Sequence, residues 1–131
     1  MGNRKIGVIV DSFRCDIREG IKKAKELGVD GIQIYAVSGK MAPENLSVKD
    51  RREFLDYIKS SGLVVSALCG DMGGGFINEK DNDKKIEKSK RIMELAKDLE
   101  AGVVTTHIGA VPTDKENPRF KILQEACERL G

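Results

Sequence analysis

The chain has 131 residues, a length that suits one domain with a substantial core. Its 23 basic and 21 acidic residues leave a net charge of +2, so no overall electrostatic pull toward nucleic acid or a membrane surface is written into it. Cys15, Cys69 and Cys127 are odd in number and lack CxxC spacing, which argues against a disulfide framework or a structural zinc and for a reducing cytoplasm. Met1–Lys5 is too short and polar for a signal peptide, and no apolar run reaches membrane-spanning length.

In chain order, Lys5–Asp11 reads as a strand. Asp16, with Glu19 three residues on, opens a helix over Ile17–Leu27 in which Ile17, Ile21, Ala24 and Leu27 share a face. Gly31–Ala36 is a second strand. Ser47, with Asp50 in the reciprocal capping position, starts a helix over Val48–Ser60 whose apolar residues are Val48, Phe54, Leu55 and Ile58. Leu63–Cys69 is a third strand, and Asn82 or Asp83 opens a helix over Ile86–Leu99 with the stripe Ile86, Ile92, Met93, Ala96 and Leu99. Gly102–Ile108 is a fourth strand. Asn117 and Pro118 then start a helix over Phe120–Leu130 that buries Phe120, Leu123, Cys127 and Leu130. Gly28, Gly62 and Gly131 stand where left-handed helix ends are expected.

Four alternating strand–helix units predict an α/β domain over residues 1–131, with a parallel sheet covered by helices. The repeat stops where a fifth strand is expected, which suggests half of something larger. An open flavodoxin-like sheet is the alternative. Strand order separates the two, since a doubly wound sheet reverses at a switch point and a half-barrel runs 1-2-3-4. Helix-to-strand links are minimal (Gly28–Asp30, Ser61–Gly62, Glu100–Ala101), whereas strand-to-helix links are long (Val37–Leu46, Gly70–Asp81, Gly109–Asn117). Ligands of parallel α/β proteins bind on the loops that follow the strands, so that rim is the candidate site.

The single histidine, His107, closes the fourth strand, where an imidazole can donate to a substrate oxygen or relay a proton. A hydrogen-bonded structural role suits it as well. By strand parity His107 shares a face with Thr105, while Val104, Thr106 and Ile108 face the helix layer. Asp11, Tyr35, Cys69 and Asp71 end or follow the other three strands, and Asp11, Asp71 and His107 on one rim would form a polar ring. Either aspartate alone also suits a turn. Cys69 can be a nucleophile, although packing in a buried strand explains it better. Gly73–Gly74–Gly75 departs from a phosphate loop, which needs GxxxxGK[ST] leading straight into a helix, and is expected to act as a mobile lid. One histidine and two rim aspartates are thin for a metal site.

The segments KIGVIVDSF, REGIKKAKELGVDGIQIYAVSGKMAPENLS, IKSSGLVVSALCGDMGG and SKRIMELAKDLEAGVVTTHIG resemble the N-terminal half of the sugar phosphate isomerase/epimerase family, which has a xylose isomerase-like TIM barrel. The resemblance is most specific at GVDGIQIY and VVTTHIG. It implies half of a (β/α)8 barrel, a fold of about 250 residues. It also implies sugar or sugar phosphate substrates and proton transfer through an enediolate. The family's divalent cation (Mn or Mg, sometimes Co or Zn) is held by ligands on later strands, which would leave this chain alone without the metal and without catalytic residues. By the same resemblance His107 contacts substrate, and Tyr35, Cys69 and Asp71 shape the sugar pocket. A homodimer or a C-terminal half would complete the barrel. Endonuclease IV shares the barrel but uses several histidines in its first half, which this near-neutral, single-histidine chain lacks. A non-enzymatic α/β binding module and a purely structural half-barrel dimer remain as alternatives.

Overall fold

Apolar residues alternating along four short strands place one face of the sheet under the helices. In the computed structural model, which describes residues 3–131, the strands are β1 (Gly7–Ile9), β2 (Gly31–Tyr35), β3 (Val64–Cys69) and β4 (Val104–Thr105). All pairings are parallel, and the spatial order is β1-β2-β3-β4. The absence of a reversal excludes the flavodoxin-like alternative. Helices α1 (Ile17–Glu26), α2 (Val48–Ser60) and α3 (Glu79–Asp98) follow the first three strands, and α4 (Pro118–Leu130) follows β4.

The main core lies between these helices and one sheet face, where Ile32, Ile34, Val65 and Leu68 pack against Ile21, Ile58, Ile92 and Leu95. Helix α4 is held to α3 by a smaller cluster of Phe76, Ile86, Leu123 and Ala126. The opposite sheet face has no helix layer. Ile9 is 51% and Val64 60% exposed there, and with Gly7, Gly31, Gln33 and Ser66 they line a hollow of about 470 Å³.

A β-bulge decides which side chains reach that open face. Val64 and Val65 pair with Gly31 and Ile32, but the next pair is Gln33 with Ala67, which leaves Ser66 as the extra residue. The Ser66 hydroxyl donates to the Ile32 carbonyl at 3.0 Å, satisfying the backbone where the ladder is interrupted. One added residue inverts the alternation downstream, so Leu68 enters the core and Cys69 joins Tyr35 and Thr105 on the open side.

The helix signals hold where a cap is written. Ser47 and Asp50 form a reciprocal capping box, and Asp16 accepts from the Arg18 amide at 3.1 Å. Gly28 and Gly62 adopt positive φ. Other boundaries differ from expectation. The first strand ends at Ile9, because Val10–Phe13 turns into a 3-10 helix closed by left-handed Arg14. Helix α3 begins at Glu79, capped by Asn78, rather than near Ile86; Asn82 is a buried residue inside it whose amide donates to the Phe76 carbonyl at 2.9 Å. The fourth strand keeps only Val104–Thr105. Cys127 is exposed, because α4 buries Leu123 and Ala126 and turns Cys127 away; Val48 and Met93 are also exposed. No helix among the described residues is long and apolar enough to cross a membrane.

Gly20 marks the tightest contact between α1 and the turn after β1. A Cβ there would stand 2.6 Å from Val10 Cγ2, on a side chain only 2% exposed. Overpacking of this kind costs about 1–3 kcal/mol, more than the ~1 kcal/mol an alanine gains in a helix interior. Gly20→Ala is therefore expected to lower the urea-unfolding free energy by roughly 1 kcal/mol. An unchanged or raised midpoint would show that the turn yields freely.

Candidate functional site

The rim above the C-terminal strand ends is assembled by three side chains that continue the sheet register. Tyr35, Cys69 and Thr105 are lateral neighbours across β2, β3 and β4 on the open face. Gln33, one step lower, donates from Nε2 to Thr105 Oγ1 at 3.4 Å and ties β2 to β4 across that face. Cys69 is half-buried with a free thiol. The Asp11 carboxylate does not extend β1; its Oδ2 accepts from the Tyr35 amide at 2.8 Å and anchors the first loop to the end of β2.

Asp71 and His107 lie just beyond this row, and their side chains meet. His107 Nδ1 is 2.6 Å from Asp71 Oδ2, while Asp71 Oδ1 accepts from the Gly73 amide at 3.0 Å. These two contacts, the Gly73 amide first, hold the Asp71 carboxyl below the usual carboxylate range. An ionised carboxylate only accepts, so the proton between the two groups sits on Nδ1 and a neutral ring keeps its lone pair on Nε2. The His107 side chain is 84% exposed and that of Asp71 27%, so the carboxylate is sheltered and the imidazole is presented to solvent. Tyr35 joins the pair loosely, its hydroxyl 3.5 Å from the Asp71 carbonyl oxygen.

The glycine loop is not a free lid. The Lys85 ammonium donates to the carbonyls of Gly73 and Gly75 at 2.8 and 2.7 Å. Phe76 is buried in the α3–α4 cluster, and its amide donates to the Ile108 carbonyl at 2.9 Å. Gly75, at φ +59°, lies so close to the loop after β4 that a Cβ would come within 2.4 Å of the Ile108 carbonyl oxygen. Gly109, at φ +100°, allows the same approach from its side. Its freedom serves loop-to-loop packing. The parity argument holds for Val104, which packs on the core, and for Thr105, whose hydroxyl receives Gln33. It does not hold for Ile108, which is exposed because the chain has left the strand after Thr105.

The rim therefore unites Asp71 with His107 directly and Tyr35 with Asp11 and Asp71 by hydrogen bonds, while Cys69 stands beside them in the strand row. Lys40, in the second loop, is drawn aside by Asp16 at 2.9 Å. Lys85 and Gln33 escaped the sequence reading. Gln33 has a signal, as the polar residue inside GIQIY, but Lys85 is hidden in a helix rich in charge. Among the described residues no three His, Cys, Asp or Glu side chains converge. One imidazole and a carboxylate with both oxygens engaged do not fit a divalent cation by themselves.

Residues 21–131 match the sequence model of the xylose isomerase-like TIM barrel. The chain belongs to that family. Among solved structures the xylose isomerase-like chain is similar to a xylose isomerase domain protein from Planctomyces limnophilus, with TM-score 0.76 and 20% identity over 95% of this chain and 48% of that one. It is also similar to a sugar phosphate isomerase/epimerase from Parabacteroides distasonis, with TM-score 0.65 and 13% identity over 99% of this chain and 47% of that one. The chain thus spans about half the length of these structures, and at such identities the likeness is one of fold. No curated protein matches it.

Because the folded carboxyl of Asp71 is shifted down, its contribution to stability is complete above the ordinary carboxylate pKa of about 3.9 and fades as pH falls through the lowered value. Asp71→Asn should therefore be less stable than the parent by a constant margin at neutral pH, no more than ~1 kcal/mol for a partly solvated group. Urea unfolding should show this margin narrowing below about pH 4. A margin independent of pH would mean that the carboxylate is not held as described.

Proposed function

We propose that the chain supplies the first four βα units of a sugar or sugar phosphate isomerase/epimerase, and that His107 is its substrate-contacting residue. The observation that carries this reading is the Asp71–His107 pair, which presents an imidazole at the rim of a xylose isomerase-like sheet. The reaction is proton transfer next to a sugar carbonyl through an enediolate. In it, Nε2 of His107 takes a hydrogen bond from a substrate hydroxyl, while Asp71 fixes the ring and stabilises any positive charge it acquires. Tyr35 and Cys69 border the sugar from the ends of β2 and β3. The ligands of a divalent cation, and the carboxylates that move the carbon-bound proton, belong in this reading to four further βα units. Those units also cover the open sheet face and its two edges, either as a C-terminal half or as a second copy of the chain. The exposed Ile9 and Val64 favour such a cover over a free-standing binding module or a ligand-free half-barrel.

The 131-residue chain alone is expected to self-associate at micromolar concentration in light scattering and to leave ketoses and aldoses unchanged with added Mn²⁺. Turnover by this chain would place the catalytic groups within these four strands. A compact, stable monomer would count for the binding module.

Carried through four further units of its own reading frame, the protein is expected to interconvert a ketose with its aldose or epimer. His107→Ala should then reduce kcat/KM by roughly ten- to a thousandfold, equivalent to about 1–4 kcal/mol, with an unchanged melting curve. An unaltered kcat/KM would return His107 to a purely structural role.

A further inference from the structure

Lys85 lies two turns into α3, far along the sequence from the rim, yet it governs how the rim is built. Its ammonium takes the carbonyls of Gly73 and Gly75. Gly73, Gly74 and Gly75 all have positive φ, a path that brings two carbonyls round one cation. Gly75 is braced by Ile108 and Gly109, but a Cβ on Gly73 would meet nothing and one on Gly74 only the Lys85 ammonium, so the first part of the loop has little packing to hold it. This path aims the Gly73 amide at Asp71 Oδ1 and sets Gly75 against Ile108 and Gly109, the residues immediately after His107. The loops that carry Asp71 and His107 are thereby locked to each other on both sides of the 2.6 Å contact.

We propose that Lys85 is a positioning residue for His107, acting through the glycine loop and Asp71 to hold the imidazole as the Nδ1-protonated form with Nε2 free for substrate. The importance of that form for turnover rests on the isomerase reading, but the positioning itself does not. Lys85 never touches the ring. It neutralises two carbonyl dipoles that would otherwise face each other and stands near enough to favour the ionised Asp71. Without it the three glycines regain the freedom that makes such a run a poor platform. The carboxylate then loses its Gly73 amide, and the ring is free to turn.

The lone histidine makes this measurable without a substrate. In 15N-labelled chain, on the alkaline plateau of the ring's own 15N titration, His107 should show a pyrrole-type Nδ1 and a pyridine-type Nε2. Lys85→Met should move both nitrogens toward the averaged values of a free imidazole, and Lys85→Arg should restore the parent pattern. Lys88→Met, on the same helix as Lys85, breaks a pair with Glu44 of the loop after β2 and should leave the pattern unchanged. Parent-like nitrogens in a folded Lys85→Met would overturn the proposal. Should that variant fail to fold, the parent decides: a Lys85 ammonium exchanging as fast as the surface lysines overturns it, and slow exchange upholds it. In the extended, active protein Lys85→Met should lower kcat about tenfold with KM nearly unchanged. If the extended protein lacks isomerase activity while the nitrogens still respond to Lys85, the functional reading fails and the positioning role stands.

Discussion

The structure depends on the one-sided burial of a four-stranded parallel sheet. Ile32, Ile34, Val65 and Leu68 are covered by α1, α2 and α3, whereas Ile9, Val64, Gln33 and Ser66 have no helix above them. Parallel sheets occur almost always with both faces covered, and in a barrel the second cover is the sheet itself, closed round its own side chains. A mixture of Gln33, Ser66, Thr105, Ile9 and Val64 fits that interior, being neither apolar enough for a helix layer nor polar enough for a solvated surface. The candidate site lies at the upper margin of this face, where Tyr35, Cys69 and Thr105 end the strands.

The bulge at Ser66 links the core to the site. Were β3 regular after Val64, Leu68 would emerge on the open face and Cys69 would be buried under the helices. The inserted residue corrects both at once, and its hydroxyl occupies the carbonyl that the interruption leaves. The position of Asp71, two residues after Cys69, descends from this correction. A local irregularity in the middle of a strand therefore fixes the direction from which a carboxylate approaches His107.

Elements whose stabilising interactions are local were legible in the sequence. The capping box of Ser47 and Asp50, the Asp16 cap and the positive-φ glycines each involve a few neighbouring residues, and the helices they delimit stand where expected. The start of α3 was hidden because Glu79–Lys85 carries no apolar residue, so no periodicity announces the helix before Ile86. Its first two turns are held instead by the Asn78 cap and by contacts from Asn82 and Lys85 to the preceding loop, which only tertiary structure creates. The same applies at the rim. Proximity of Asp71 to His107 was foreseeable from two adjacent parallel strand ends, but their direct bond requires the loop geometry. In the sequence Gly73–Gly74–Gly75 reads as mobility, since glycine freedom is what a sequence displays. The lysine that removes it lies twelve residues past the first of them.

Gly75 and Gly109 show why these loops behave as one unit. Each has a backbone conformation that other residues rarely adopt; a Cβ on Gly75 would collide with Gly109, and one on Gly109 would crowd Ile77 beside Gly75. Neither requirement makes sense alone, because an isolated loop would tolerate an alanine at the cost of local strain only. Together they bring two backbones into direct contact beside the Phe76–Ile108 hydrogen bond. The contact is short in space but joins the segments after β3 and β4, so the two loops are braced against each other. An imidazole on the second loop and its carboxylate on the first thus keep their mutual geometry even though the ring itself is largely exposed. A rim built this way has its orientation fixed before a ligand arrives, and the entropy of ordering two loops is met by folding rather than by binding.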